Sequence, residues 1–314
     1  MLERLDGLVR LEVDGVPCVA YPRLTGPVEE GDDVLVNEQA RALGLTSGGF
    51  DVLYANLTRG LGLPPEEGAH VVKLPYTPLQ AAVRHAEESE ALAKTLAGLP
   101  VVCCSLHSQL APVCAGLGEG VRVAYAQLPG GALPVSLSDA VRALKARRLL
   151  ETAVAAGACV DGDVSCVSAA SALAWAAAAG FDAVVCGIGP GIVGTSSSLG
   201  HGGLAAADAA NAALALGGRP ILAARVSEAD LRERHRGLSH HTRAVLSLCL
   251  GPVQIAWPRG VPGPDVAVEE VDVTGWEEAC AGLPLSHMGR GPSEDPAFFA
   301  TAFAAGRLAR GLIE

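Results

Sequence analysis

The chain has 314 residues, half of them hydrophobic, and a net charge of −11 at neutral pH. This length and composition exclude intrinsic disorder and allow one large core or two domains. The acidic balance argues against general nucleic-acid binding, and the longest apolar run is too short to span a bilayer. We therefore expect no nucleic-acid partner and no membrane partner. Nine cysteines without a CxxC pair predict reduced, buried thiols and a cytoplasmic protein.

Residues 1–70 are predicted to form a small β-barrel or sandwich. The stretch LVRLEVDGVPCVAY alternates apolar and polar residues around the hairpin signal Asp14-Gly15, and FDVLYANL continues this pattern. GLGLPPEEGAH then has the composition of a linker. A capping box with proline at the first helical position, Thr77-Pro78-Leu79-Gln80, next predicts a helix that runs to about Gly98.

Residues 71–314 are predicted to form an α/β domain. Five apolar runs, VVCCSL, VRVAYA, TAVAAGACV, DAVVCGI and PILAARV, alternate with predicted helices near 108–117, 138–150, 165–179, 203–216 and 239–249, and a last helix is predicted over 294–312. Continuous apolar strands are typical of a parallel sheet that is buried on both faces. We therefore predict an α/β fold with a mainly parallel sheet flanked by helices, preceded by a small all-β, barrel-like domain.

The loop GPGIVGTSSSLGHGG follows the predicted strand DAVVCGI and precedes a helix. Ligands of open parallel sheets bind beyond the carboxyl ends of the strands. Exposed backbone N–H groups and hydroxyls before a helix favour an anion, most often phosphate. The alternative is a tight turn whose glycines only permit close packing. On the anion interpretation the ligand-binding residues of this loop are Gly189, Gly191, Gly194, Thr195, Ser196, Ser197 and His201.

The segment RERHRGLSHHT lies in a stretch with five arginines and three histidines between residues 225 and 243. On the first interpretation, its cations bind a phosphate or carboxylate, because arginine matches those groups with two parallel hydrogen bonds. On the second, a metal is held by the histidines and Asp230, although two adjacent helical histidines are expected to point apart. On the third, Ser239 caps a helix with a solvated surface. We favour the first, assign no metal ligand, and take as ligand-binding residues Arg232, Arg234, Arg236 and His241.

Three histidines are candidates for a catalytic acid–base group. His107 directly follows the buried strand VVCCSL, and His235 and His240 lie within the arginine-rich segment. A histidine in the first of these positions is more often simply hydrogen-bonded.

The motifs KLPYTPLQ, GGALPVSLS, GIGPGIVGT and RERHRGLSHHT resemble those of a bacterial family known as domain of unknown function 3866. The resemblance covers most of the chain, from the N-terminal β segment to the last helix. It implies a bacterial cytoplasmic protein from a family without an assigned activity, so it transfers no catalytic residue.

Together these patterns predict binding of a small phosphorylated or carboxylated metabolite in a cleft at the strand ends. The chemistry, if any, would be transfer or hydrolysis at the anionic group, and the sequence identifies no cofactor. The expected partners are a small anionic ligand and further copies of the chain in a homo-oligomer. One alternative function is a non-catalytic ligand sensor or a homo-oligomeric assembly protein with the arginine- and histidine-rich segment at an interface. Another is a metal-dependent hydrolase.

Overall fold

The computed structural model describes residues 2–44 and 49–313. Its N-terminal part is a five-stranded mixed sheet, found where the alternating sequence predicts a small β domain. The elements are β1 (Glu3–Leu5), β2 (Leu8–Val13), β3 (Val16–Ala20), α1 (Pro22–Thr25), β4 (Val34–Asn37), α2 (Gln39–Ala42) and β5 (Asp51–Asn56). The order in the sheet is β1-β2-β3-β5-β4, in which β3 and β5 are parallel and the other three pairs are antiparallel.

The prediction of a helix from Pro78 to about Gly98 is wrong. This part of the described chain contains a short antiparallel pair, β6 (Val72–Lys73) and β7 (Ala81–Ala82), and a 3-10 turn at Ala86–Glu88. Thr77 Oγ1 donates to the carbonyl of Leu74 at 2.8 Å, and the side-chain oxygen of Gln80 accepts from the N–H of Tyr76 at 3.2 Å. Both polar side chains therefore close a local turn, and neither caps a helix.

The centre of the molecule is an eight-stranded sheet in which every neighbouring pair is parallel. Its order is β11-β10-β9-β12-β8-β13-β16-β17, with these bounds: β8 (Pro100–Cys104), β9 (Val123–Leu128), β10 (Thr152–Ala156), β11 (Val164–Cys166), β12 (Ala183–Ile188), β13 (Arg219–Ala223), β16 (Gln254–Pro258) and β17 (Glu269–Val271). Every residue of β8, β9 and β12 is buried, as the continuous apolar runs predict. A separate hairpin follows β13 and consists of β14 (Val226–Ser227) and β15 (Gly237–Leu238).

Helices cover both faces of the large sheet and confirm the α/β class. One apolar core contains residues of α3, α4, α8 and α9, and the other contains residues of α5, α6 and α7. Among the described residues, no helix is both long and apolar enough to cross a bilayer. The helices are α3 (Leu110–Leu117), α4 (Asp139–Ala146), α5 (Ala169–Ala178), α6 (Ala205–Ala215), α7 (His240–Leu248), α8 (Trp276–Cys280) and α9 (Pro296–Gly311).

The strand order reverses direction around β8. After β8 the chain forms β9, β10 and β11 on one side of the sheet. It then places β12 between β9 and β8 and continues to β13 on the other side of β8. The helix after β8 packs in one core and the helix after β12 packs in the other, so their loops diverge at the carboxyl ends of these strands. Such a topological switch point is where open α/β sheets bind ligands. The segments that follow β12, β8 and β13 are therefore neighbours at this edge.

Candidate functional site

Ser239 organises the start of the segment that carries most of the histidines. Its side chain accepts a hydrogen bond from the N–H of His241 at 3.2 Å, and this caps α7. The same hydroxyl lies 2.8 Å from Nδ1 of His235, which belongs to the 3-10 turn Glu233–His235. One serine thus fixes the turn and the helix start relative to each other.

Four imidazole rings meet at this point, and we call His201, His235, His240 and His241 the histidine cluster. His201 reaches it from the loop after β12 and stacks on His241, with ring centroids 3.6 Å apart and planes 13° apart. The centroids of His235 and His240 are 4.7 Å apart. Those of His240 and His241 are 4.5 Å apart, so the expectation that these two rings point apart is wrong. They are the first two residues of α7, where the preceding turn folds back against both.

A buried carboxylate gathers three arginines beside the histidine cluster. Asp230, which is 2 % exposed, accepts from Nε and Nη2 of Arg232 at 2.9 and 2.8 Å. Nη2 of Arg225 and Nη2 of Arg290 each lie 3.5 Å from its Oδ2. Burial alone would raise the pKa of Asp230, but the hydrogen bonds from Arg232 outweigh it and hold this pKa well below its usual range. We call these four residues the arginine centre.

The arginine centre is joined to the histidine cluster and to the segment before α9. Nη1 of Arg225 lies 3.1 Å from Nδ1 of His241. Asp295 accepts from Ser227 Oγ at 2.6 Å and from Arg290 Nε at 3.2 Å. Near them, His287 stacks on Phe298 with ring centroids 3.8 Å apart. Our sequence reasoning missed this last segment, although HMGRGPSED before a predicted helix was a usable signal.

Several buried polar atoms around these two groups make no hydrogen bond with any described residue. Buried polar groups in folded proteins nearly always have a partner, so such a concentration requires a reason. These atoms leave donors and acceptors available for a bound group. They are both ring nitrogens of His201, Nε2 of His240, Nε2 of His287, Nε of Arg225 and Nη2 of Arg290.

The glycine-rich loop after β12 uses part of its sequence for packing. A Cβ added to Gly189 would lie 2.0 Å from the carbonyl oxygen of Ala132, and one added to Gly202 would lie 1.9 Å from that of Gly130. These glycines permit close contact between two backbones, as the alternative interpretation of this loop holds. The contribution of Gly191 and Gly194 to anion binding stays a prediction.

The hydroxyl-bearing tip of this loop is exposed and hydrogen-bonds to itself. The N–H and Oγ1 of Thr195 both donate to the carbonyl of Gly200, at 2.7 and 3.1 Å. Thr195, Ser196 and Ser197 are exposed. Of the residues predicted in this loop, His201 is the one that the structure brings into contact with the arginine- and histidine-rich segment.

The predicted arginines occupy different positions. Arg232 belongs to the arginine centre, and Nε of Arg236 donates to the backbone carbonyl of Asp230 at 2.9 Å. Arg234 is exposed and makes no ion pair with the described residues. It is close enough to His240 and Arg225 to lower the pKa of both groups, although burial is the larger cause for each.

His107 connects three elements at the same edge of the sheet. Its Nε2 lies 2.7 Å from Oγ of Ser138, which caps α4, and its Nδ1 lies 3.2 Å from the carbonyl oxygen of Ile188 at the end of β12. Burial lowers its pKa to about 4. Both nitrogens thus have structural partners and the ring is neutral at pH 7. Its role as a catalytic acid–base group stays a prediction.

This burial makes His107 a source of acid sensitivity. The pKa of an unfolded histidine is about 6.5 and that of folded His107 is about 4, so the unfolded chain takes up the proton first. Above pH 6.5 the neutral ring of His107 makes its full contribution to the free energy of unfolding. This contribution falls by up to about 3 kcal/mol as the pH decreases toward 4. Urea unfolding from pH 7 to pH 4 should therefore show a shallower loss of stability for His107→Gln than for the wild type. The exposed His70 supplies the control: equal slopes for His107→Gln and His70→Gln would refute this account.

A large cavity lies away from these groups. It has a volume of about 890 Å³ and lies between the chain around β7 and the loop between β10 and β11. None of the predicted site residues lines it. Its lining includes Arg23, Lys73, Arg84, His85, Glu90 and Asp161.

Fold and site together define an α/β protein with a doubly wound parallel sheet, in which buried histidines and arginines meet at the switch point. The chain belongs to the family described as protein of unknown function (DUF3866), whose model matches residues 17–306. This confirms the family resemblance of the sequence motifs. No curated protein and no solved structure matches the chain. The description of this family names no activity.

Proposed function

We propose that this protein binds a small phosphorylated or carboxylated metabolite at the switch point, beside the arginine centre and the histidine cluster. The observation that carries the proposal is that Arg225 Nε is buried without a hydrogen-bond partner among the described residues, and that Arg290 Nη2, 3.5 Å from Asp230 Oδ2, makes no hydrogen bond either. A guanidinium group has five donors in a plane that matches phosphate and carboxylate oxygens. A bound anion would satisfy the donors that these two arginines leave open.

The charge around the site supports the same ligand class. Asp230 is shared by three arginines, and Arg234 adds an exposed cation next to them. Asp295 offsets part of this charge through Arg290. When Arg236, Glu228 and Glu233 of the same segment are counted as well, five arginines face four carboxylates, so the local charge is slightly positive although the whole chain carries −11. A local positive field attracts small anions, whereas the acidic remainder of the surface repels them.

If the bound anion reacts while no metal ion is bound, the best-placed base is His240. Its Nε2 has no partner among the described residues, and burial, followed by Arg234, lowers its pKa, so the ring is neutral and able to accept a proton. His235 is less available because its Nδ1 contacts Ser239. The arginines would stabilise negative charge that develops during transfer or hydrolysis at the anionic group.

Arg234→Ala tests this proposal with inorganic phosphate and malonate as probes, titrated calorimetrically into the full chain after chelator treatment. We expect at least one probe to bind and the variant to bind about tenfold more weakly, because a hydrogen bond to a charged group contributes roughly 1.5–3 kcal/mol. The matched control is Arg84→Ala, an exposed arginine that lines the 890 Å³ cavity. The proposal fails if neither probe binds the wild type, or if Arg84→Ala loses binding and Arg234→Ala keeps it.

A second candidate is a homo-oligomer that uses the same surface. Leu231 is 89 % exposed within the arginine-rich segment, and Val193 and Leu199 are 68 % and 61 % exposed in the loop that carries His201. Exposed apolar side chains next to arginines are common in protein interfaces. The molar mass of the Arg234→Ala variant by light scattering separates the two functions. A variant that loses self-association and keeps anion binding favours the interface.

We also propose that the protein acts in the bacterial cytoplasm. All nine cysteines are free thiols, and eight of them are buried. Persistent free thiols are typical of reducing compartments.

A further inference from the structure

We infer that His235, His240 and His241 form a binding site for one divalent transition-metal ion of the zinc class. One nitrogen from each ring can be chosen so that all three lie within 4.8 Å of one another. Imidazole nitrogens bind zinc at about 2.0–2.1 Å, which places three ligand atoms roughly 3.4 Å apart in a tetrahedral site. The widest separation therefore has to shorten by up to about 1.4 Å. His240 is the one of the three residues that is only partly buried.

The contacts behind these rings resemble the outer shell of a metal site. Nδ1 of His235 contacts Ser239 at 2.8 Å, which fixes this ring and leaves its Nε2 for an ion. His240 Nε2 is buried without a partner among the described residues. An imidazole whose second nitrogen is held by a hydrogen bond is the usual form of a histidine ligand.

His241 is in contact with a competing donor. Arg225 Nη1 lies 3.1 Å from Nδ1 of His241, and donation to that atom places the ring hydrogen on Nε2. An ion bound at Nδ1 therefore displaces the guanidinium group, which already lies 3.5 Å from Asp230. Metal binding thus releases the guanidinium N–H groups of Arg225 from His241 and lets them move toward the carboxylate of Asp230.

His201 is a second, independent observation that indicates a ligand. It is 6 % exposed, it stacks on His241, and apart from a marginal contact with the backbone of Ser198 its ring nitrogens have no partner among the described residues. Three protein ligands leave a fourth position of a zinc-class ion open. We assign that position to an exchangeable group next to His201, whose ring centroid is 6.1 Å from that of His240.

The histidines alone carry this inference, and anion binding is not needed for it. The nearby arginines oppose a cation, but Asp230 and Asp295 together offset two of the three charges of Arg225, Arg232 and Arg290. The remaining positive charge would be reduced further by an anion at the open position. Phosphate is therefore expected to strengthen metal binding.

Cobalt(II) titrated into the chelator-treated full chain tests the site, because tetrahedral and octahedral cobalt differ in visible absorption. We expect one equivalent to bind with the intense bands of low coordination number, and His240→Gln to bind at least tenfold more weakly. His70→Gln, which alters an exposed histidine elsewhere, is expected to bind like the wild type. Circular dichroism without metal shows whether each variant is folded.

Two results would overturn the inference: a wild type that binds no cobalt, or a His240→Gln variant that binds it as well as the His70→Gln control does. If His240→Gln does not fold, the paramagnetically shifted imidazole resonances of the cobalt-loaded wild type decide the question. Resonances from three coordinated rings are expected, and an absence of such resonances would contradict the site. Calorimetry with phosphate on the chelator-treated chain is a separate measurement, so the failure of one proposal is distinguishable from the failure of the other.

Discussion

Asp230→Ala is expected to lower the free energy of unfolding by about 3–5 kcal/mol, the usual cost of removing one partner of a buried ion pair. Asp230 and Arg225 are each 2 % exposed, and the carboxylate is shared with Arg232 and Arg290. Without it, Arg225 is a buried cation with no counter-charge at that position. Urea unfolding at pH 7, monitored by circular dichroism, measures the change.

The control for this prediction is Asp265→Ala, which removes the ion pair between Asp265 and Arg243. The side chain of Asp265 is 72 % exposed, so solvent already screens this pair and no measurable loss of stability is expected. Equal small effects of the two substitutions would mean that the arginine centre does not hold this region together.

Gly306→Ala is expected to destabilise the protein by about 3 kcal/mol or more, through overpacking of two helices. A Cβ at Gly306 of α9 would lie 2.0 Å from the carbonyl oxygen of Val113 and 2.9 Å from Cα of Gly116 in α3. Neither contact involves a flexible side chain, so one helix has to move. α9 begins directly after Asp295 and carries Phe298 against His287, so its displacement also disturbs the site.

Gly311→Ala, in the last turn of the same helix, is the matched control. A Cβ there meets nothing within 4 Å, and alanine is the better helix former, so the variant should be as stable as the wild type or slightly more stable. Thermal unfolding of both variants checks the prediction. Gly306→Ala with a stability equal to that of Gly311→Ala would show that α3 and α9 are not in close contact.

The sheet was predictable because burial on both faces leaves a direct trace in the sequence. The runs VVCCSL and DAVVCGI became β8 and β12, with every residue of both strands buried. The helix predicted after Pro78 failed for a local reason. Thr77 and Gln80 satisfy hydrogen bonds inside a turn, and a capping pattern cannot be distinguished from such a turn by residue type alone.

The site was predictable only where its residues are close in sequence. The segment RERHRGLSHHT stood out, and three of the four cluster histidines lie in it. The contact between Ser227 and Asp295 joins residues 68 positions apart, and no local pattern reveals it. Close backbone packing and anion binding both require glycine, so the sequence could not decide what Gly189 does.

A crystal structure grown with tungstate, a phosphate analogue that scatters anomalously, tests most directly whether the switch point binds anions. The account predicts an anomalous peak within hydrogen-bond distance of the guanidinium group of Arg225, Arg290 or Arg234, beside the histidine cluster. A peak only in the 890 Å³ cavity lined by Arg84, or no peak at all, would contradict it.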